Sequence, residues 1–164
     1  MVRELIHHFG GIKKVENNVT YCNESTVCFA GKYREDSKFG GVDSINTSIL
    51  SDVVVTGLRS SDIIFCEGSF MNSFGLNLQK AMFQAKRNIV ITLYSSPKTI
   101  YSHLFKRNGG DVTSDFEQIM KKQKGAFSAA KKWRSIGVEV FTIDTGKLSI
   151  QQELEAVLKI ISEK

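Results

Sequence analysis

The sequence predicts an α/β protein built on a parallel sheet with helices on both faces. Three observations carry the prediction. The runs "DIIFCEG", "NIVITLY" and "VEVFTID" read as buried strands; stretches with apolar residues at three- and four-residue spacing read as helices; and the two kinds alternate along the chain. The 164 residues, 41% hydrophobic with one proline, predict a single domain with an ordinary core.

The elements follow in order. Val2, Leu5, Ile6 and Phe9 lie on one face of a helix that ends at Gly10-Gly11. Two short β-like runs come next, residues 18–21 and 26–30, separated by the polar turn "CNES". "GKYREDSKFGGVDS" is a polar, glycine-containing loop of 14 residues. Ile45, Ile49, Val53 and Leu58 repeat at near-helical spacing, and "DIIFCEG" follows as a strand. Leu78, Met82 and Phe83 mark a helix reaching to about Arg87 before the strand "NIVITLY". Ser96 caps a helix with Pro97 at its first position, where the missing N–H costs nothing. That helix stops at Gly109-Gly110. Phe116, Ile119, Met120 and Phe127 form another helix towards Trp133, with Gly125 a candidate break. After "VEVFTID", Ser149 and Gln152 form a capping box for the last helix, whose apolar face is Leu154, Val157, Leu158 and Ile161.

Charge and cysteine content narrow the setting. The net charge is +5, and residues 97–134 hold nine Lys or Arg against three acids. Such a region attracts a phosphate-bearing partner, a nucleotide or a nucleic acid, unless it is only a solvated helix face. Cys22, Cys28 and Cys66 are odd in number and form no Cys-x-x-Cys pair, which fits a reduced, cytoplasmic setting. The three histidines share no metal-ligand spacing with them, so no metal bound by protein ligands alone is expected. No apolar run is long enough to span a bilayer, so no membrane partner is expected.

In a parallel α/β sheet, ligands bind beyond the carboxyl ends of the strands. That rim would carry Glu67, Ser95-Ser96 and Asp144-Thr145. Glu67 is the residue singled out: four apolar residues run straight into a carboxylate.

The order of motifs resembles P-loop nucleoside and nucleotide kinases, in particular the small bacteriophage kinases proposed to act on hydroxymethylated bases in phage DNA modification. "TVCFAGKY" looks like their second strand, "FGGVDS" like a Gly-Gly-x-Asp element of the substrate loop, and "IIFCEGSFMNS" like the third strand ending in Glu-Gly. "NIVITLYSSPKTIYSHLFKRNGG" resembles the fourth strand and lid helix, and "GVEVFTIDTGKLSIQQELEAVLKII" the closing strand and helix. The likeness covers nearly the whole chain and makes residues 97–134 a basic, lid-like region of a three-layer, P-loop kinase-like fold. One departure dominates. The chain opens in "VRELIHHFGG", which resembles the helix that follows a Gly-x-x-x-x-Gly-Lys-Ser/Thr loop. The first, central strand and the loop itself are missing from residues 1–164. Two strands would then carry unpaired edges. A truncated chain, a partner or homo-oligomer supplying the strand, and a rebuilt, non-catalytic sheet each account for this.

The resemblance implies an ATP-dependent kinase whose acceptor is a nucleotide, a nucleoside or a hydroxymethylated base in DNA. ATP and Mg2+ would be cofactors only if the missing loop is supplied. Glu67 would take the acceptor's proton or hold magnesium-bound water, and Arg107, with Lys106, would stabilise charge on the transferring group. Asp43, close behind two glycines that let backbone approach a ligand, would read a base or sugar hydroxyl, or is a turn aspartate. Lys32, Tyr33 and Arg34 would grip a substrate phosphate or stack on a base. Lys121, Lys122 and Lys124 would touch a nucleic-acid backbone. The alternative is a non-catalytic remnant that binds nucleotide or nucleic acid. Phe127 and Trp133 read as core or lid packing, and His7 and His8 as helix surface.

Overall fold

The computed structural model describes residues 1–23, 26–34, 41–42, 45–68, 75–107, 109–110 and 116–163, with the side chain of Arg107 outside that set. The chain forms two compact units, Met1–Asn88 and Ile89–Lys164.

The first unit opens with helix α1 (Val2–His8), which buries Leu5 and Ile6. Strands β1 (Ile12–Glu16) and β2 (Val19–Cys22) form an antiparallel hairpin. Its turn is Asn17-Asn18, with φ of 51° and 61°. Positive φ at both central residues is the two-residue turn whose twist matches that of the strands, and asparagine tolerates it better than most residues. β2 pairs antiparallel with β3 (Val27–Ala30), and β3 pairs parallel with β4 (Ile63–Phe65). The sheet order is β1-β2-β3-β4. β3, with a strand on each side, is buried at every position. Helix α2 (Leu50–Ser60) lies across β2, β3 and β4 and against α3 (Leu76–Met82). Gly57 permits that approach: a Cβ there would fall 2.4 Å from Ile64 Cδ1 and 3.0 Å from Cys28 Sγ.

The expectation of a wholly parallel sheet is corrected in this unit, where two of three pairings are antiparallel. The reason is the length of the connections. A parallel pair needs a crossover of a dozen or more residues, whereas two residues join β1 to β2 and four join β2 to β3. The resulting architecture is mixed α/β. The β1 strand itself, and the hairpin it makes, went unread because Lys13, Lys14 and Glu16 break the apolar pattern.

The second unit has a two-stranded parallel sheet, β5 (Ile89–Tyr94) paired with β6 (Glu139–Asp144) over six residues. Helices α4 (Pro97–Arg107) and α5 (Phe116–Ser135) join them, and α6 (Ile150–Ser162) follows. Ser96 caps α4, accepting from the Thr99 N–H at 3.1 Å. The capping box of Ser149 and Gln152 is formed. α5 runs unbroken through Gly125 and buries Ile119, Ala129, Ala130 and Trp133. It packs on β5 and β6, while α6 packs on β6. β4, β5 and β6 are less buried than their apolar sequences suggest: Ile63 is 37% exposed and Leu93 41%. Among the described residues β4 has one strand neighbour, and so has β5. No helix of the described residues is long and apolar enough to cross a membrane.

The hairpin turn gives a direct test. Asn18→Gly is expected to be neutral to stabilising, and Asn18→Val to cost about 1–2 kcal/mol, because a branched L-residue resists the left-handed region. Denaturant midpoints for the two variants check this; equal midpoints would contradict the turn.

Candidate functional site

Glu67 stands just past the end of β4, and the surrounding backbone is shaped to admit it. β3 ends at Ala30, and Gly31 turns the chain with φ of +107°. Thr20 on β2, fully buried, fixes this turn from beneath. Its hydroxyl donates to the Gly31 carbonyl at 2.8 Å and accepts from the Tyr33 N–H at 3.0 Å. The Gly31 N–H adds a 2.7 Å bond to the Asn18 carbonyl. Held in this way, Tyr33 is only 5% exposed, its ring edge-on to Phe29 with centroids 5.9 Å apart. Its hydroxyl donates to Glu67 Oε2 at 2.9 Å.

A second strand of backbone closes the site. The Val42 N–H donates to the Glu67 carbonyl at 2.9 Å. Gly41, with φ of +79°, lies so close that an added Cβ would sit 2.7 Å from Glu67 Oε2 and 2.8 Å from the Tyr33 hydroxyl. A Cβ on Gly31 would meet the Gly41 carbonyl oxygen at 2.1 Å. Both positions are therefore glycine for two reasons, a left-handed backbone and a neighbour in contact. Glu67 itself is exposed. One carboxylate oxygen is fixed by Tyr33, and the other has no hydrogen-bond partner among the described residues. A carboxylate so placed can accept a proton or hold a cation-bound water. Burial pushes the thiol of the adjoining Cys66 up to about 12, with Cys28 adding to the shift. Burial likewise raises Cys22 to about 11.

Of the residues singled out in the sequence, the fold brings Glu67 and Tyr33 together. Lys32 and Arg34 flank Tyr33 and are exposed, and the Arg34 carbonyl takes two 3.3 Å bonds from the Arg3 guanidinium. Asp43 lies outside the described residues, and so does the side chain of Arg107, whose backbone ends α4. Lys106 is exposed near the end of α4. Lys121, Lys122 and Lys124 are exposed on α5. Lys121 and Lys124 share a helical face with Lys131 and Lys132, and only Gly125 and Ser128 intervene on it. Trp133 is core, 1% exposed, and Phe127 packs on Tyr94 with centroids 5.7 Å apart.

The second unit has a smaller arrangement at the carboxyl ends of β5 and β6. The Thr145 hydroxyl donates to the Tyr94 carbonyl at 3.0 Å, and Asp144 Oδ1 accepts from the Gly146 N–H at 2.9 Å. Gln123 of α5 donates to the Ser95 carbonyl at 2.7 Å. Ser95 is 5% exposed and its hydroxyl has no hydrogen-bond partner among the described residues. A Cβ on Gly146 would come 2.7 Å from that hydroxyl oxygen. Thr20, Gly31, Gly41 and Gln123 were not singled out in the sequence. The two glycines carried a signal, standing at either end of one polar loop; Thr20 and Gln123 look like ordinary surface polar residues until the fold places them.

Two glycine substitutions should separate site architecture from helix propensity. Gly31→Ala meets backbone and a forbidden φ together and is expected to lose more than about 2 kcal/mol. Gly125→Ala meets nothing within 4 Å on an exposed helix face and is expected to gain about 0.5–1 kcal/mol. Thermal melting of both checks the signs; a tolerated Gly31→Ala would mean that the close approach is not required.

Compared with known proteins, the chain matches no family model, no curated protein and no solved structure.

Proposed function

We propose that the chain is the acceptor-side framework of an ATP-dependent phosphotransferase acting on a nucleotide, a nucleoside or a hydroxymethylated base in DNA. The reading rests on one observation. Glu67 lies at the carboxyl end of a parallel strand, exposed, with one oxygen fixed by a buried tyrosine and the other without a hydrogen-bond partner among the described residues. That is the arrangement a general base needs: orientation set by the protein, a lone pair left for the substrate hydroxyl. Tyr33 is then a positioning residue, and Lys32 and Arg34 supply positive charge beside the acceptor. ATP and Mg2+ belong to a strand and phosphate loop that residues 1–164 do not carry, within a P-loop kinase-like sheet. Among the described residues β4 and β5 each pair with a single strand, which is compatible with this.

The exposed lysine face of α5 favours a second reading, a nucleotide- or nucleic-acid-binding protein without catalysis. Four like charges along one helix face repel each other and gain from a polyanion.

Phosphate transfer from labelled ATP to a panel of nucleotides and hydroxymethylated DNA tests the first reading, with the chain completed by a strand and phosphate loop. Glu67→Gln should lower turnover by on the order of 100-fold or more while leaving the melting temperature unchanged. A Gln variant that transfers at the original rate would reduce Glu67 to a solvated carboxylate. For the second reading, affinity for single- and double-stranded DNA should fall steeply with salt, and reversing Lys121, Lys122 and Lys124 to Glu should flatten the slope. Salt-independent binding would exclude it.

A further inference from the structure

The end of the first unit's sheet opposite Glu67 carries a feature that the phosphotransfer reading does not use. An open groove of about 540 Å3 lies where β1, the start of β3 and the last turn of α2 meet, and Lys13, Lys14, Tyr21, Thr56, Arg59 and Ser61 are among its walls. This volume lies in the range of small-molecule sites.

The two lysines on one wall need explaining. Consecutive residues of a strand point to opposite faces, so Lys13 and Lys14 should part. The pairing register shows why they do not. Ile12 pairs with Cys22 and Lys14 with Tyr21, so one residue of β1, Lys13, is extra. This is a β-bulge, a device that re-aims a side chain. It turns Lys13 into the groove beside Lys14.

The charges there are only partly used. Lys14 donates to Glu16 at 2.6 Å and lies 5.0 Å from the centre of the Tyr21 ring. That accounts for one cation, the one carboxylate on the groove wall, and one face of the aromatic ring. Thr26, also on the wall, gives its hydroxyl to Asp62. Lys13 and Arg59 remain, facing the groove from β1 and from α2, and neither has a partner among the described residues. Arg59 would suit the last turn of α2 without any ligand, because the helix dipole favours a cation there. An edge-strand lysine likewise discourages stray pairing without any ligand. Neither explanation calls for a bulge that directs a second lysine into the same groove. A guanidinium fork and an ammonium match a doubly charged group with three acceptor oxygens.

We propose that this groove is a binding site for a small phosphate monoester, with Lys13 and Arg59 as its two charge-bearing contacts. A sugar phosphate is the class best matched, since Tyr21 is occupied by Lys14 and Ser60, and Thr56 also lines the groove. The site does not depend on the phosphotransfer reading. It lies at the opposite end of the strands, and its residues are absent from that mechanism.

Amide chemical-shift titration of the full chain at constant ionic strength tests it, using inorganic phosphate, ribose 5-phosphate and ribose. Phosphate and ribose 5-phosphate should shift the amides of Lys13, Lys14, Tyr21, Ser60 and Ser61 and saturate in the millimolar range or tighter, and ribose should do neither. Lys13→Met combined with Arg59→Met, which keeps the apolar stems, should weaken ribose 5-phosphate at least tenfold; Lys159→Met on α6 in the second unit should change nothing. Should the double variant fold poorly, each single variant should still weaken binding severalfold. Shifts that never saturate, or that survive the double variant, overturn the site. A short DNA oligonucleotide that saturates the same amides at lower concentration than ribose 5-phosphate also overturns it, because the groove would then be part of a polymer-binding surface.

Discussion

The carboxyl end of the first unit's sheet depends on one constraint, the approach of Gly31 to Gly41 under the carboxylate of Glu67. Neither residue can carry a side chain: a methyl on Gly31 would lie 2.1 Å from the Gly41 carbonyl oxygen, and one on Gly41 2.6 Å from the Glu67 carbonyl oxygen. Because the backbones meet there, Tyr33 is directed inwards and its hydroxyl reaches Glu67. Thr20 keeps the approach in register, with one buried hydroxyl serving both a carbonyl and an N–H of the same turn. A buried hydroxyl that gives and accepts in this way leaves nothing unsatisfied, which matters because an orphaned buried group costs about 1–3 kcal/mol. Ser95 in the second unit is the contrasting case, its buried hydroxyl without a hydrogen-bond partner among the described residues.

Much of the architecture was legible because it rests on local signals. The capping box at Ser149, the Ser96-Pro97 helix start and the amphipathic faces of α1 and α6 are written in residues a few positions apart; on α5 the pattern marked the helix but not its buried face, since Phe116 is 51% exposed while Ala129 and Ala130 are buried. Glu67 was legible for the same reason, as a carboxylate ending an apolar run. What local pattern does not carry is strand direction. The turn "CNES" was visible as a turn, and a turn that short forces its flanking strands to be antiparallel. Alternation of strands and helices farther along the chain pointed instead to parallel pairing, and that expectation holds only for β3–β4 and β5–β6. The β1 strand was hidden by its charged residues, although Asn17-Asn18 marked the turn that follows it.

The roles of side chains were less legible than the elements bearing them. "GKYR" reads as an exposed basic loop, yet alternate residues go opposite ways: Lys32 and Arg34 outward, Gly31 and Tyr33 inward. Nothing in the four letters says so; the inward turn of Tyr33 is decided by Thr20, 13 positions away, and by Phe29, four positions away. Burial of the three-residue β4 was overestimated for a related reason. Apolar composition predicts a strand with neighbours on both sides, and among the described residues β4 pairs with β3 alone. Long-range contacts set both outcomes.

The same sheet also separates charge by end. At the carboxyl end of β3 and β4 stands a carboxylate with one oxygen held by Tyr33; at the amino end of β3, the hairpin and α2 bring Lys13 and Arg59 to a groove. Nothing in the strands' own dipoles produces this, since sheet dipoles are small. It comes from two backbone irregularities, a pair of glycines that admits Glu67 and a bulge that turns Lys13. Irregular backbone in an otherwise regular sheet gives up ladder bonds and favourable dihedral angles. A fold keeps it where it re-aims a side chain that ordinary geometry would send elsewhere. By that criterion the first unit has two such places, one suited to receiving a proton and one to holding an anion. They share β3, which among the described strands of the unit is the one buried along its whole length.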